Sequence, residues 1–207
     1  MSPFTFQSKS GPILIRQVEH DDISRLIELN KKAFPLMAEE NVVWSERQLQ
    51  NHLRLFPTGQ LVAIVDDAIV GAVASLIIQS SRDPYRGHTY GGITDGGYFH
   101  NHDPQGDTLY GADVYVDPDC QGIGHQFFDA REAQACKYRS RYAAFCAVNR
   151  EPDDPRRPET YRSLEPCWKK RGYIQQPDIK ATFDWREVGK PLDSSHTLTF
   201  WIKELTS

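Results

Sequence analysis

Residues 109–126 constrain this chain more than any other stretch. Leu109 to Val116 is an apolar run of strand length that ends at Asp117-Pro118, and Gly122-Ile123-Gly124 then opens a helix running to about Arg139. A strand, a Gly-x-Gly turn and a helix start together make a device for holding an anion. The glycines let backbone approach a phosphate, and the free N–H groups and dipole of a helix start favour negative charge. Taken alone, the segment reads equally as a plain strand-to-helix turn. It is not the dinucleotide fingerprint, which needs Gly-x-Gly-x-x-Gly in an early βαβ unit, and the lysine of a P-loop is absent.

The flanking pattern is mixed α/β, in the order β-α-α-β-β-β-α-β-α-β-β. A short apolar strand from Ile13 to Val18 precedes Asp21 or Asp22 as helix N-cap, and Ile23, Leu26, Ile27, Asn30 and Phe34 recur at helical spacing up to Pro35. Ser45 and Gln48 have the spacing of a capping box, opening a helix with Leu49, His52, Leu53 and Phe56. Gln60 to Val65 and Ile69 to Gln79 read as a hairpin turning at Asp66-Asp67. Residues 80–107 form a long loop rich in aromatics and histidines, a length that is usually functional or disordered. Later come a strand at Tyr142 to Val148, a helix from about Glu159 to Arg171, and strands from Tyr173 and from Thr197 to Ile202.

Bulk properties bound the rest. The 207 residues, 39% hydrophobic with net charge -4, suit one globular domain, read as 13–205 behind a disordered lead at 1–12. The acid surplus argues against a nucleic-acid partner. No apolar run approaches the roughly 18–20 residues that span a bilayer, so no membrane role is expected. Cys120, Cys136, Cys146 and Cys167 are scattered without a CxxC pair, which argues against a metal cluster or disulfide framework and points to a reducing, cytoplasmic setting.

Segment by segment, the chain resembles the GNAT (GCN5-related N-acetyltransferase) superfamily. Val116-Asp117-Pro118-Asp119-Cys120-Gln121-Gly122-Ile123-Gly124-His125-Gln126 is similar to that family's pyrophosphate loop, Val-x-Pro-x-x-Arg/Gln-Gly-x-Gly-x-Gly/Ala. Ile15-Arg16 with Asp21-Asp22-Ile23, the hairpin with Ile69-Val70-Gly71, Asn149, and Cys167 to Tyr173 stand in family order around it. The loop departs from the family form in one of two ways. Either Gln126 takes the place of the last Gly or Ala, or Gly122-Ile123-Gly124 takes the last glycines and leaves the loop two residues short. The second register suits the helix that follows.

The resemblance implies a mostly antiparallel central sheet flanked by helices, with a splayed strand pair that holds acyl-CoA. It also implies transfer of acetyl from acetyl-CoA to a primary amine of a small molecule or protein, with no metal. On that reading Gln121, Gly122, Ile123, Gly124, His125 and Gln126 hold the pyrophosphate. Val114, Tyr115 and Val116 pair with the pantetheine arm, and a backbone N–H near Val114 or Tyr115 polarises the thioester carbonyl. Asn149 joins the cofactor contacts. A non-catalytic CoA-binding or regulatory module is the alternative, because Trp168 stands where many members place a tyrosine that reprotonates the leaving thiolate.

Asp113, a carboxylate within an apolar strand, is either the general base or the partner of an arginine. Tyr161, two helical turns before Trp168, is either a substitute acid or a packing tyrosine. His88, Tyr98 and His100 line the acceptor side within the long loop, and a metal role for the His100–Asp103 cluster is the minor reading. Trp44, Trp185 and Trp201 are core or interface aromatics, and the late aromatics would equally serve a homodimer contact.

Overall fold

The structure is a computed structural model and describes residues 4–8, 11–39, 42–80, 89–120, 122–148, 161–186 and 192–205. His88, Gln121 and Asn149 lie outside the described residues. Eight strands form one sheet in the order β1-β2-β3-β4-β5-β6-β8-β7. They are β1 (Phe4–Ser8), β2 (Gly11–Gln17), β3 (Leu61–Val65), β4 (Ala68–Ile78), β5 (Thr108–Val116), β6 (Tyr142–Val148), β7 (Ile174–Arg186) and β8 (Asp193–Glu204). Every neighbouring pair is antiparallel except β5 and β6. That parallel pair needs a crossover, and helix α5 (Gly124–Lys137) supplies it.

Helices cover both faces. On one side lie α1 (Ile23–Ala33), the short α2 (Pro35–Glu39), α3 (Glu46–Leu55) and α4 (Tyr90–Thr94); all but α2, which buries no residue, close a core of Leu26, Leu29, Trp44, Leu53, Leu76, Phe99 and Tyr110. On the other, α5 lays Phe127 and Ala130 over Ile13, Ile15, Leu61 and Val73. Gly71 is small for a reason: a Cβ there would stand 3.0 Å from the Phe127 ring.

Local chemistry explains the boundaries. Ser45 caps α3 by accepting from the Gln48 N–H while the Gln48 side chain accepts from the Ser45 N–H, the expected capping box, worth about 1 kcal/mol. Asp66 and Asp67 both take positive φ, 48° and 62°, which matches the twist of a tight hairpin turn.

Four expectations need correction. First, part of the supposed lead, Phe4–Ser8, is a strand paired from Phe4↔Ile15 to Ser8↔Gly11, and its alternating Phe4 and Phe6 pack against the α5-side core. Second, Asp22 is the N-cap residue of α1 as expected, but its side chain makes no cap bond to the helix; it accepts both terminal nitrogens of Arg16 at 2.6 and 2.9 Å, and the Glu19 N–H at 2.8 Å. Third, residues 89–106 are a packed wall and not an open loop. Phe99 is fully buried, stacked on His52 of α3 at 3.7 Å, and Asn51 and His52 bond the carbonyls of Tyr98 and Gly97. Fourth, the last helix, α6, spans only Glu165–Lys170. Pro166 sits in its first turn, the place in a helix where proline's missing N–H costs nothing.

Candidate active site

The site is built at the break between β5 and β6. Their parallel pairing runs from Thr108↔Tyr142 to Gly111↔Phe145 and stops there, although β5 continues to Val116 and β6 to Val148. Beyond the break β6 keeps its partner β8, with Cys146↔Phe200 through Val148↔Leu198. The sheet is therefore open between residues 112–116 and 146–148. Val114, on the opened edge, is 44% exposed, unusual for an apolar residue in a central strand.

A bulge sets up this opening. The β4–β5 register passes from Ser75↔Gly111 to Ala74↔Asp113, leaving Ala112 as an extra residue. Tyr110 and Tyr115, five residues apart, consequently share the face of Trp44, while Gly111 faces Arg131 and Val116 packs on the α5 side. Strict alternation would put residues five apart on opposite faces. The slip carries Asp113 to the Trp44 side.

Arg131 of α5 holds the bulge from beneath. Its guanidinium donates to the Ala74 carbonyl at 3.1 Å, to the Ser75 Oγ at 3.1 Å, and to the Asp113 carbonyl. A Cβ on Gly111 would fall 2.8 Å from it, so only glycine leaves room for the arginine to cross. Burial lowers the Arg131 guanidinium to about 10, and the nearby Asp113 and tyrosines oppose that shift.

The arginine touches Asp113 through backbone and not through the carboxylate. The Asp113 Oδ2 instead accepts from the Trp44 indole Nε1 at 2.7 Å, and Oδ1 accepts from the Val114 N–H at 2.8 Å. Burial raises its pKa to about 6, although both hydrogen bonds and the Arg131 charge pull the other way. A carboxylate poised there exchanges a proton near neutrality. Because Asp113 occupies the Val114 N–H, that donor is committed, and the expectation that it would polarise a carbonyl is amended accordingly.

Two residues reach this point that sequence reasoning missed. Trp44, read as a core or interface aromatic, supplies the hydrogen bond that orients Asp113. Tyr90, at the start of α4, donates its phenol to the Ala112 carbonyl at 2.9 Å, at the base of the opening. Burial, with Asp113 next in effect, raises the Tyr90 pKa well above the usual phenol value. Close by, Tyr110 and Cys146 bond across the fork at 3.0 Å, Oη to Sγ. The sequence signal for Tyr90 was present in its Thr89 N-cap, which marks a helix inside the supposed loop.

At the far end of β5, α5 begins immediately at Gly124, with Ile123 as N-cap, as the shorter loop register requires. The helix geometry leaves the N–H groups of Gly124 and His125 without intrahelical acceptors, while the Gln126 N–H bonds the Ile123 carbonyl at 3.2 Å. Gly122 has φ 87°, a conformation glycine takes freely, and nothing stands within 4 Å of a Cβ built on either glycine. The Gln126 amide nitrogen, in the orientation that satisfies it, donates back to the carbonyls of Gly122 and Ile123 at 2.8 and 2.9 Å, bracing the turn. His125 lies 3.6 Å from the Cys167 Sγ of α6.

The other expected site residues are placed differently. Tyr161 precedes α6 in irregular chain, so it shares no helix face with Trp168. Trp168 packs edge-on against Phe145 and Trp201. Tyr98 and His100 stack on each other at 5.8 Å at the surface beside α3, with His100 bonded to Asp95 at 2.6 Å. His102 turns the other way, accepting from the Ile77 N–H and stacking on Phe56. Trp185 stacks on His196 at 3.4 Å.

Comparison with solved structures decides the architecture. The GNAT-like decarboxylase GphF, solved with isobutyryl-CoA, matches over 93% of this chain and 99% of its own with a TM-score of 0.67, at 19% identity. The chain has the GNAT fold. No family model matches it. Among curated proteins it is 38% identical over 116 residues to the uncharacterized N-acetyltransferase YkwB of Bacillus subtilis, covering 56% of this chain and 51% of that protein. It is also 38% identical over 122 residues to the probable hydrolase YhcX of Bacillus subtilis, covering 58% of this chain and 23% of that one. The chain thus spans about half the length of the first relative and under a quarter of the second.

Proposed function

We propose that this GNAT-fold chain is an acyl-CoA-dependent N-acyltransferase that moves acetyl to a primary amine. One observation carries the reading: the sheet opens between β5 and β6, and a carboxylate with a raised pKa stands at the base of the opening. The N-acetyltransferase name of one relative and the CoA ligand of one structural neighbour support it.

In this reading the helix start at residues 122–126 takes the pyrophosphate of CoA. The exposed edge of β5 from Val114 to Val116 pairs with the pantetheine arm, which brings the thioester toward the bulge. Asp113 takes a proton from the ammonium, directly or through water, and the free amine that results attacks the thioester carbonyl. When the C–N bond forms and the C–S bond breaks, the electron pair leaves on sulfur; the Tyr90 phenol passes its proton to that thiolate and takes up the proton shed by the new amide nitrogen, so no tyrosinate remains. Tyr90 takes the acid role in place of Tyr161, because its hydroxyl already stands at the fork. Correct placement of the two substrates accounts for much of the acceleration.

Two results follow. Calorimetric titration with acetyl-CoA should show saturable binding, and saturating ligand should stabilise the fold by about 2.7 kcal/mol at a hundredfold excess over Kd. No heat at millimolar CoA would remove the cofactor from the reading, and binding without CoA release across a panel of primary amines would leave a CoA-binding module. Tyr90→Phe should lower kcat about tenfold to a hundredfold with acyl-CoA affinity nearly unchanged, while Tyr161→Phe stays close to the parent rate. Full rate in Tyr90→Phe would return the proton transfer to water.

A further inference from the structure

The turn that precedes the helix start is acidic, which is unfavourable beside a pyrophosphate. Asp117 and Asp119 stand five and three residues before Gly122. Three residues of fully extended chain span about 10 Å at most, so Asp119 cannot lie far from the phosphate site. Before it the chain turns: the Cys120 N–H bonds the Asp117 carbonyl at 2.8 Å and the Asp119 N–H bonds the Asp117 Oδ1 at 3.0 Å. Two bare carboxylates there would repel a dianion.

Lys32 meets both. From the last turn of α1 its ammonium stands 2.7 Å from one Asp117 oxygen and 2.8 Å from Asp119. The contact joins chain segments 85 and 87 residues apart, and Lys32 and Asp117 line a cleft of about 480 Å³ whose other charged residues are Arg25, Glu28 and Asp67. Surface ion pairs add little to folding stability, so the fold itself gains little from this one. Its consequence is for charge: one fixed cation offsets two carboxylates beside the place where phosphates arrive, and it holds Asp117 in the turn that aims Gly122 and Gly124.

We infer that Lys32 is a positioning residue for acyl-CoA, acting through Asp117 and Asp119 to make an acidic turn accept a pyrophosphate. This rests on the acyltransferase reading above. Lys32 need not touch the ligand. It sets the field at the turn, over a distance within the Debye length at low salt.

The test is calorimetric titration of CoA and of S-acetylpantetheine, which lacks the pyrophosphate, into the parent and into Lys32→Met. The substitution should weaken CoA about threefold to tenfold at about 0.01 M ionic strength, and much less near 1 M, where screening shortens to about 3 Å. S-acetylpantetheine should bind both proteins alike. Asp119→Asn added to Lys32→Met should restore most of the CoA affinity, since Asp119 is 82% exposed and asparagine removes only its charge. Unchanged CoA affinity at low salt would overturn the inference, as would an equal loss for both ligands or no recovery with Asp119→Asn. If the parent binds CoA and Lys32→Met binds it equally well at low salt, the inference fails alone. If the parent does not bind CoA, the acyltransferase reading fails with it.

Discussion

Gly124→Asp should raise the dissociation constant for CoA by about a hundredfold or more while the unliganded protein stays folded and slightly stabilised. The two halves of this expectation have opposite signs and one cause. Gly124 is the first residue of α5, its φ is not positive, and a Cβ built there has nothing within 4 Å. Aspartate therefore fits without strain. In the first turn of a helix its negative charge meets the positive end of the dipole, a gain of about 0.3–1 kcal/mol. The same charge takes the place a pyrophosphate would occupy and repels it. Gly124→Ala separates bulk from charge, since a methyl group there should cost much less affinity. Gly122 would be a poorer test, because at φ 87° any side chain adds backbone strain. A CoA affinity unchanged in Gly124→Asp would mean that this turn joins a strand to a helix and does nothing more.

What the sequence revealed and what it hid divide along a physical line. Features set by neighbours in the chain were legible. The Ser45 to Gln48 capping box, the hairpin at Asp66-Asp67 and the helix opening at Gly124 all depend on contacts within a few residues, and all stand as read. The splayed strand pair was legible only through family resemblance. Its cause, the extra residue at Ala112, leaves no mark in the sequence, because Gly111 and Ala112 fit either face of a strand. Only the crossing of Arg131 over Gly111, from an element twenty residues later, shows why the small residues are there.

The same holds for the site's polar groups. Asp113 stood out because a carboxylate in an apolar strand needs a reason. Its partner did not, since Trp44 is 69 residues away and indole serves a core as readily as a hydrogen bond. Tyr161 drew notice through helical spacing, but the helix starts at Glu165 and the spacing has no meaning there. Tyr90 was overlooked because the segment around it is dense in glycine and was read as loop. Tertiary packing against α3 and β7 turns that segment into a wall.

Asp113→Asn should lower kcat by about a hundredfold, the low end of what removing a general base costs, with acyl-CoA affinity nearly unchanged. Asparagine keeps an oxygen to accept from Trp44 but cannot take up a proton. The pH profile of the parent makes the test sharper. With a carboxyl pKa of about 6, the parent's kcat/KM should fall as pH drops through that value, and the residual activity of the variant should lack that step. Stability should move the other way. The folded pKa lies above the unfolded value of 3.8, so the folded state binds the proton more tightly. The stability contributed by the protonated group is complete below the unfolded value, and is lost as pH rises through about 6, by up to about 3 kcal/mol. The parent should therefore lose stability from about pH 4 to 7 through this group, and the variant should not. A structural ion pair predicts the reverse: the variant would unfold more easily at neutral pH and turn over normally once folded. If Asp113→Asn keeps the full rate across the pH range, the carboxylate is not the base, and the raised pKa records only the cost of holding a charge beside the bulge.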